Sequence, residues 1–167
     1  ITDLAAWHAF CAAKGSKYAE DIERCLGGPP GDADRDAEYR RRSPLFGLER
    51  AKGLAVDLEV GIQDGHTGSV PIEHTLRAFD VLARANGHED AAFADADIAV
   101  MAQEARIPDH LAAERAEEPG RAHRVLLRRN AGPVRLTVFD GGHEIDPAAA
   151  LSWLNDHVRG GDLPIGP

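Results

Sequence analysis

The stretch of sequence that decides the fold is Val60-Gly61-Ile62-Gln63-Asp64-Gly65-His66-Thr67-Gly68-Ser69-Val70-Pro71. It follows an alternating apolar run over residues 54–60, which predicts a strand, and it precedes apolar residues at three- to four-residue spacing, which predict a helix over residues 70–85. Open α/β sheets keep their functional groups in loops at the carboxyl ends of strands. The sequence therefore predicts that Asp64 is a carboxylate held at the end of a strand.

A second strand end delivers a histidine. The strand-like residues 134–140 run into Gly141-Gly142-His143-Glu144, and a further helix is predicted from Pro147. An acid and a later histidine on successive strand ends are the last two members of the hydrolase order Ser…Asp/Glu…His. This order predicts Asp64 as the acid and His143 as the general base of a triad, within hydrogen-bond reach of each other. Asp140 is a weaker rival acid, because it lies too close to His143 in sequence to orient the ring from its far side.

Four short motifs, in collinear order, resemble the C-terminal half of an α/β-hydrolase of the prolyl-oligopeptidase-like branch: Asp3-Leu4-Ala5-Ala6-Trp7, Arg42-Ser43-Pro44-Leu45, Gly61-x-x-Asp64 with Val70-Pro71, and Gly142-His143-Glu144. The resemblance covers about residues 1–159. It implies an α/β fold class, the C-terminal part of an α/β-hydrolase fold, with parallel strands flanked by helices and a helical cap segment. The implied organisation is one partial domain: a cap-like region at 1–50, the acid- and histidine-bearing strands with their helices at 54–159, and a tail at 160–167.

The nucleophile of such an enzyme is missing. No Gly-x-Ser-x-Gly elbow surrounds any serine, namely Ser16, Ser43, Ser69 or Ser152. Enzymes of this kind commonly run to about 200–250 residues, and the chain starts at Ile1 with its only methionine at Met101. We therefore expect an N-terminal half of the same hydrolase to carry the serine upstream of Ile1. This chain alone is expected to be inactive, with an exposed sheet edge and an exposed apolar face.

The implied reaction is hydrolysis of an ester or peptide bond in a small-molecule or peptide substrate, with no cofactor. A binding-class alternative is a non-catalytic hydrolase-like protein whose other half lacks the serine. A third interpretation is a metal-dependent hydrolase using the region of His66. The residues available for it, Asp64, His66, Glu73 and His74, show no spacing typical of metal ligands, so the sequence favours no metal site.

The first fifty residues predict a helical hairpin. Leu4, Trp7 and Cys11 share one helix face, and Tyr18, Ile22 and Cys25 point inward from the next helix. The resemblance places this hairpin in the cap, where Trp7 could line a substrate pocket, although a large aromatic on an apolar face is more often core. Cys11 and Cys25 permit either one disulfide or two free thiols. A bridge would favour a secreted or periplasmic protein over a cytoplasmic one.

Composition excludes some partners. Nineteen Lys+Arg against 28 Asp+Glu give a net charge of −9, which repels phosphate backbones and argues against nucleic acid. The basic run Arg40-Arg41-Arg42 follows acidic residues and predicts a solvated helix face. No apolar run of about 18 residues predicts a membrane span.

Two segments are harder to interpret, and two others are predicted to be helical. Asp57 and Glu59 share one face of the first strand, which departs from the continuous apolar run of a strand covered on both sides. Residues 125–130 are ambiguous and are interpreted as a connection to the histidine-bearing strand. Residues 108–118 predict a polar helix, and the last helix carries Leu151, Leu154 and Val158 on one face before it ends at Gly160-Gly161.

Overall fold

The computed structural model describes residues 2–157. Within them lie six α-helices and three strands: α1 Leu4–Ala13, α2 Tyr18–Leu26, α3 Ala33–Arg42, β1 Val56–Gly61, α4 Ile72–Ala85, α5 Asp95–Glu104, β2 Val125–Ala131, β3 Val134–Phe139 and α6 Pro147–Asp156. Single 3₁₀ segments occupy Pro44–Ala51, Glu89–Ala91 and Asp109–Glu114. The predicted end of the last helix and the tail, residues 158–167, lie outside the described residues.

The sheet is small and mixed, in the order β1-β3-β2. β1 and β3 are parallel, with Val56 opposite Val134 and Gly61 opposite Phe139, whereas β2 runs antiparallel to β3. The α/β class and the parallel pairing of the two site-bearing strands are therefore confirmed. The interpretation of residues 125–130 as a connection is wrong: they form β2, because a tight turn at Gly132 (φ +59°) folds them back onto β3.

One face of the sheet carries the core. Alternate residues of the strands pack against the apolar side of α4, and this cluster includes Leu58, Val60, Leu76, Phe79, Leu82, Leu136 and Val138. Burial of such side chains contributes about 1.5–3 kcal/mol each. α4 begins at Ile72, two residues later than predicted, because Pro71 has an extended backbone at φ −65°, ψ 136°. The core thereby fixes the loop between β1 and α4.

The other face of the sheet is charged. Asp57 accepts two hydrogen bonds of 2.7 Å from Arg135, which lies directly opposite it on β3. Glu59 accepts one of 2.8 Å from Arg121, whose side chain is only 3% exposed. The sequence revealed the two acids on this face but not their partners, because partners depend on strand register.

The N-terminal helices form the predicted hairpin. Asp3 caps α1 by accepting hydrogen bonds from Ala5 N and Ala6 N, and Gly27 ends α2 in the left-handed conformation at φ +83°. The inward orientation predicted for α2 is correct only for Ile22, because Tyr18 is 46% exposed and Cys25 is also exposed. The helical prediction for residues 108–118 is also wrong in part, since the 3₁₀ turn stops at Glu114 and Arg115 is extended.

Candidate active site

The acid loop, residues 61–71, holds Asp64 by its backbone. Asp64 N donates to the carbonyl of Gly61 at 3.1 Å, and Asp64 O accepts from Ile72 N, the first residue of α4, at 3.3 Å. The Asp64 side chain is 7% exposed. The acid is thus fixed between the end of β1 and the start of α4.

The histidine loop, residues 140–146, lies directly against the acid loop. Ile62 N donates to Phe139 O and Gln63 N donates to Gly141 O, each at 2.9 Å, so the pairing of β1 with β3 continues into both loops. A Cβ at Gly61 would overlap the carbonyl oxygens of Gly141 and Gly142. Gly61 is therefore needed where the two backbones approach closely.

These loops bring the predicted acid and base together. His143 Nδ1 lies 3.0 Å from Asp64 Oδ2, which confirms that the two side chains are within hydrogen-bond reach. A carboxylate at Nδ1 favours the tautomer whose Nε2 can accept a proton from a nucleophile. The His143 side chain is 56% exposed, so its ring remains accessible. The arrangement has the geometry of the acid and base of a triad.

The rival acid and the last residue of the histidine motif have other partners. Asp140 accepts a 2.9 Å hydrogen bond from Arg124 on the exposed side of the loop. Glu144 accepts one of 2.9 Å from Gly142 N and lies 3.3 Å from His123. Glu144 therefore stabilises the turn that carries His143, and its negative charge lies next to the site.

The N-terminal hairpin reaches the acid loop. Trp7 is half-buried and its indole N–H donates to Ser69 O at 2.8 Å. Lys14 Nζ donates to Gly65 O. No sequence pattern predicts this contact. A cavity of about 410 Å³ lies between α1 and α2, lined by Leu4, Trp7, Tyr18, Ile22, Leu26, Asp21, Cys25 and Arg42. Trp7 thus contacts both this cavity and the acid loop, and its role in substrate binding stays a prediction.

The side chains proposed for a metal site do not converge. His66 Nε2 lies 2.9 Å from Ala102 O on α5, and Glu73 accepts a hydrogen bond from Arg77 at 2.8 Å. His74 is buried in the first turn of α4, and burial lowers its pKa below 6.5. Across residues 2–157, no three His, Cys, Asp or Glu side chains are grouped to hold a metal ion.

Of the two alternatives left open for Cys11 and Cys25, the structure shows the second, because both thiols are free. Cys11 is 1% exposed within the hairpin, and burial raises the pKa of its thiol. Cys25 is exposed and borders the cavity between α1 and α2. Without a bridge, the two cysteines give no reason to favour an oxidising compartment.

No serine hydroxyl within the described part of the chain hydrogen-bonds to His143. Ser43, the one buried serine there, accepts from Leu4 N and donates to Tyr39 O, which ties α1 to α3.

Within residues 2–157 no helix combines the length and apolar character needed to cross a membrane.

Comparison with known protein families, with curated proteins and with solved structures finds no match to this chain. The functional assignment therefore depends on the geometry of Asp64 and His143 and on the surfaces around them.

Proposed function

We propose that this chain supplies the acid, Asp64, and the base, His143, of a Ser-His-Asp hydrolase that cleaves an ester or peptide bond. The observation that carries the proposal is the 3.0 Å contact between these side chains at the ends of two parallel strands. In that role Asp64 orients the imidazole and stabilises the imidazolium, while Nε2 takes the proton of a serine. The finer fold in this proposal is the C-terminal part of an α/β-hydrolase.

The serine and its oxyanion hole would come from an N-terminal half of the hydrolase, as part of the same polypeptide or as a second chain. Two surfaces support such a partner. β1 is an edge strand of the described sheet, and an unpaired edge is a template for another strand. Ile145 and Leu154, which line a cleft together with Asp57 and Glu59 of β1, are 72% and 56% exposed, and Leu151 on α6 is 61% exposed. Apolar side chains grouped on a surface are typical of interaction sites.

A cleft of about 330 Å³ supports the same proposal. It separates Asp57 and Glu59 on β1 from Trp153 and Leu154 on α6. The apolar side of α6 therefore lies over a charged sheet face without filling the space between them. A partner that pairs with β1 would extend beneath α6 and cover these side chains.

Trp7 is proposed as a substrate contact. Its position between the apolar cavity and the acid loop favours a substrate with an apolar or aromatic group next to the scissile bond. This preference applies to an ester and to a peptide alike.

The test is to express this chain with the coding sequence that precedes it and to measure hydrolysis of a chromogenic short-chain ester and of a chromogenic peptide. Labelling by a fluorophosphonate reports an activated serine independently of substrate choice. We expect Asp64→Asn to lower kcat on the order of 10⁴-fold and His143→Ala to abolish both hydrolysis and labelling. His110→Ala, at an exposed histidine paired with Asp97, is the matched control.

Undiminished turnover in the His143→Ala protein, or appreciable turnover by this chain alone, would contradict the assignment. If an upstream half pairs with the chain but brings no serine that the probe labels, the binding-protein alternative replaces the enzyme.

A further inference from the structure

Only one oxygen of the Asp64 carboxylate has a hydrogen-bond partner among the described residues. Oδ2 contacts His143, whereas Oδ1 is buried and has no hydrogen-bond partner among the described residues. Buried carboxylate oxygens usually accept hydrogen bonds, and those bonds usually set the rotation of the group. Hydrogen bonds around Oδ1 therefore do not explain why Oδ2 faces His143.

Gly68 lies next to this unbonded oxygen. A Cβ placed on Gly68 would overlap Asp64 Oδ1 and lie 2.6 Å from His143 Cβ, so a side chain at this position would displace one or both members of the pair. Gly68 is absent from the left-handed glycines of the described chain. The φ angle of Gly68 therefore does not require glycine, and the requirement at this position is for space.

The loop around Gly68 is anchored on both sides. Thr67 N donates to Gln63 O at 3.0 Å, and Ser69 O accepts the Trp7 indole N–H at 2.8 Å. A larger residue at position 68 therefore cannot relieve the overlap by moving the loop outward without breaking these bonds. Because Asp64 is 7% exposed and His143 is 56% exposed, the side chain with room to move is His143.

We propose that Gly68 is a positioning residue: because it lacks a Cβ, it leaves the space in which the Asp64 carboxylate and His143 can meet at the observed distance. The proposal rests on the hydrolase function inferred above for its catalytic consequence, but its structural content is independent of that function. Gly68 touches neither a substrate nor the reacting atoms. It acts through Asp64 and His143.

The experiment compares Gly68→Ala with Gly47→Ala in the full-length protein. Gly47 is the matched control, because a Cβ there meets nothing within 4 Å and its backbone is also outside the left-handed region. The first readout is the NMR resonance of the His143 Nδ1 proton, which is shifted downfield and protected from exchange while bonded to a carboxylate. We expect this resonance in the wild type and in Gly47→Ala, and its loss in Gly68→Ala as in Asp64→Ala.

The second readout is hydrolysis of the chromogenic ester. We expect Gly68→Ala to lower kcat about 10²-fold, the usual cost of misplacing a catalytic group by about 1 Å, with KM unchanged. If Gly68→Ala loses the resonance but the wild type hydrolyses nothing, the positioning role is supported and the proposed hydrolase function is refuted. Retention of both resonance and kcat in Gly68→Ala overturns the positioning role and leaves the hydrolase function standing.

If Gly68→Ala folds poorly, thermal melting of the Asp64→Ala/Gly68→Ala double variant decides the question. We expect the substitution at position 68 to lower Tm less in the Asp64→Ala background, because the closest overlap is with Oδ1. An equal decrease in both backgrounds would show that the Asp64 carboxylate does not restrict position 68, which would overturn the proposal.

Discussion

The indole N–H of Trp7 donates a 2.8 Å hydrogen bond to the backbone carbonyl of Ser69, and this bond joins the N-terminal helical hairpin to the loop that carries Asp64. Trp7 and Ser69 are 62 positions apart, so the contact exists only in the folded chain. It ties the loop that holds Asp64 to the packing of α1.

Trp7→Phe keeps an aromatic ring in the cavity but removes the donor. We expect a loss of about 1–2 kcal/mol in the free energy of unfolding, from the unpaired carbonyl and the smaller ring. Tyr18→Phe is the control, because the Tyr18 hydroxyl has no hydrogen-bond partner in the described residues and the residue is 46% exposed. Urea denaturation measures both variants, and equal midpoints would mean that the indole bond contributes nothing.

The two thiols should differ in reactivity. Cys25 is exposed, whereas Cys11 is buried and its pKa is raised by burial, so we expect one fast-reacting thiol in the folded protein and two after unfolding without reductant. Cys25→Ser should remove the fast reaction. A colorimetric thiol titration measures both. If no thiol reacts after unfolding without reductant, Cys11 and Cys25 form a disulfide.

Substitution of Arg135 should lower the free energy of unfolding, because Arg135 pairs with an acid on the charged face of the sheet. Its two 2.7 Å bonds are made to Asp57, whose side chain is 9% exposed, and Arg135→Met leaves that carboxylate without its partner. We expect a loss of about 2–3 kcal/mol in the free energy of unfolding. Arg124→Gln, which breaks the exposed pair with Asp140, should cost no more than about 1 kcal/mol. Equal costs for the two substitutions would contradict the burial of the Asp57 pair.

His74 should make stability depend on pH. Burial lowers its folded pKa below 6.5, partly offset by Asp3, Glu73 and Asp64, so the folded state binds fewer protons than the unfolded state. Its contribution to stability is therefore present above the unfolded pKa of 6.5 and is lost as pH falls through the lower folded pKa. We expect His74→Asn to flatten the decline in the free energy of unfolding between about pH 7 and pH 5.

The control for this titration is His110→Asn, which removes a histidine from an exposed position. Denaturation curves at several pH values give the slope for each protein. A slope that is equally steep in wild type and in His74→Asn would show that another group is responsible.

The sequence by itself determined where the acid and the histidine lie. Gly61-x-x-Asp64 and Gly142-His143 both follow strand-like runs, and the carboxyl ends of adjacent parallel strands meet at one edge of a sheet. The helices were also readable, because their caps and their apolar spacing are local properties of the chain. Local signals of this kind predicted the meeting of Asp64 with His143.

The tertiary structure alone decided how each side chain is used. Strand register paired Asp57 with Arg135, and the turn at Gly132 made a strand of residues 125–131. Packing of the hairpin buried Cys11 and left Cys25 exposed. The space beside Asp64 Oδ1, which Gly68 leaves free of any Cβ, likewise follows from how two distant loops approach each other. A sequence pattern records the chemistry of each residue, but distances between residues far apart along the chain exist only after the backbone has closed around the core.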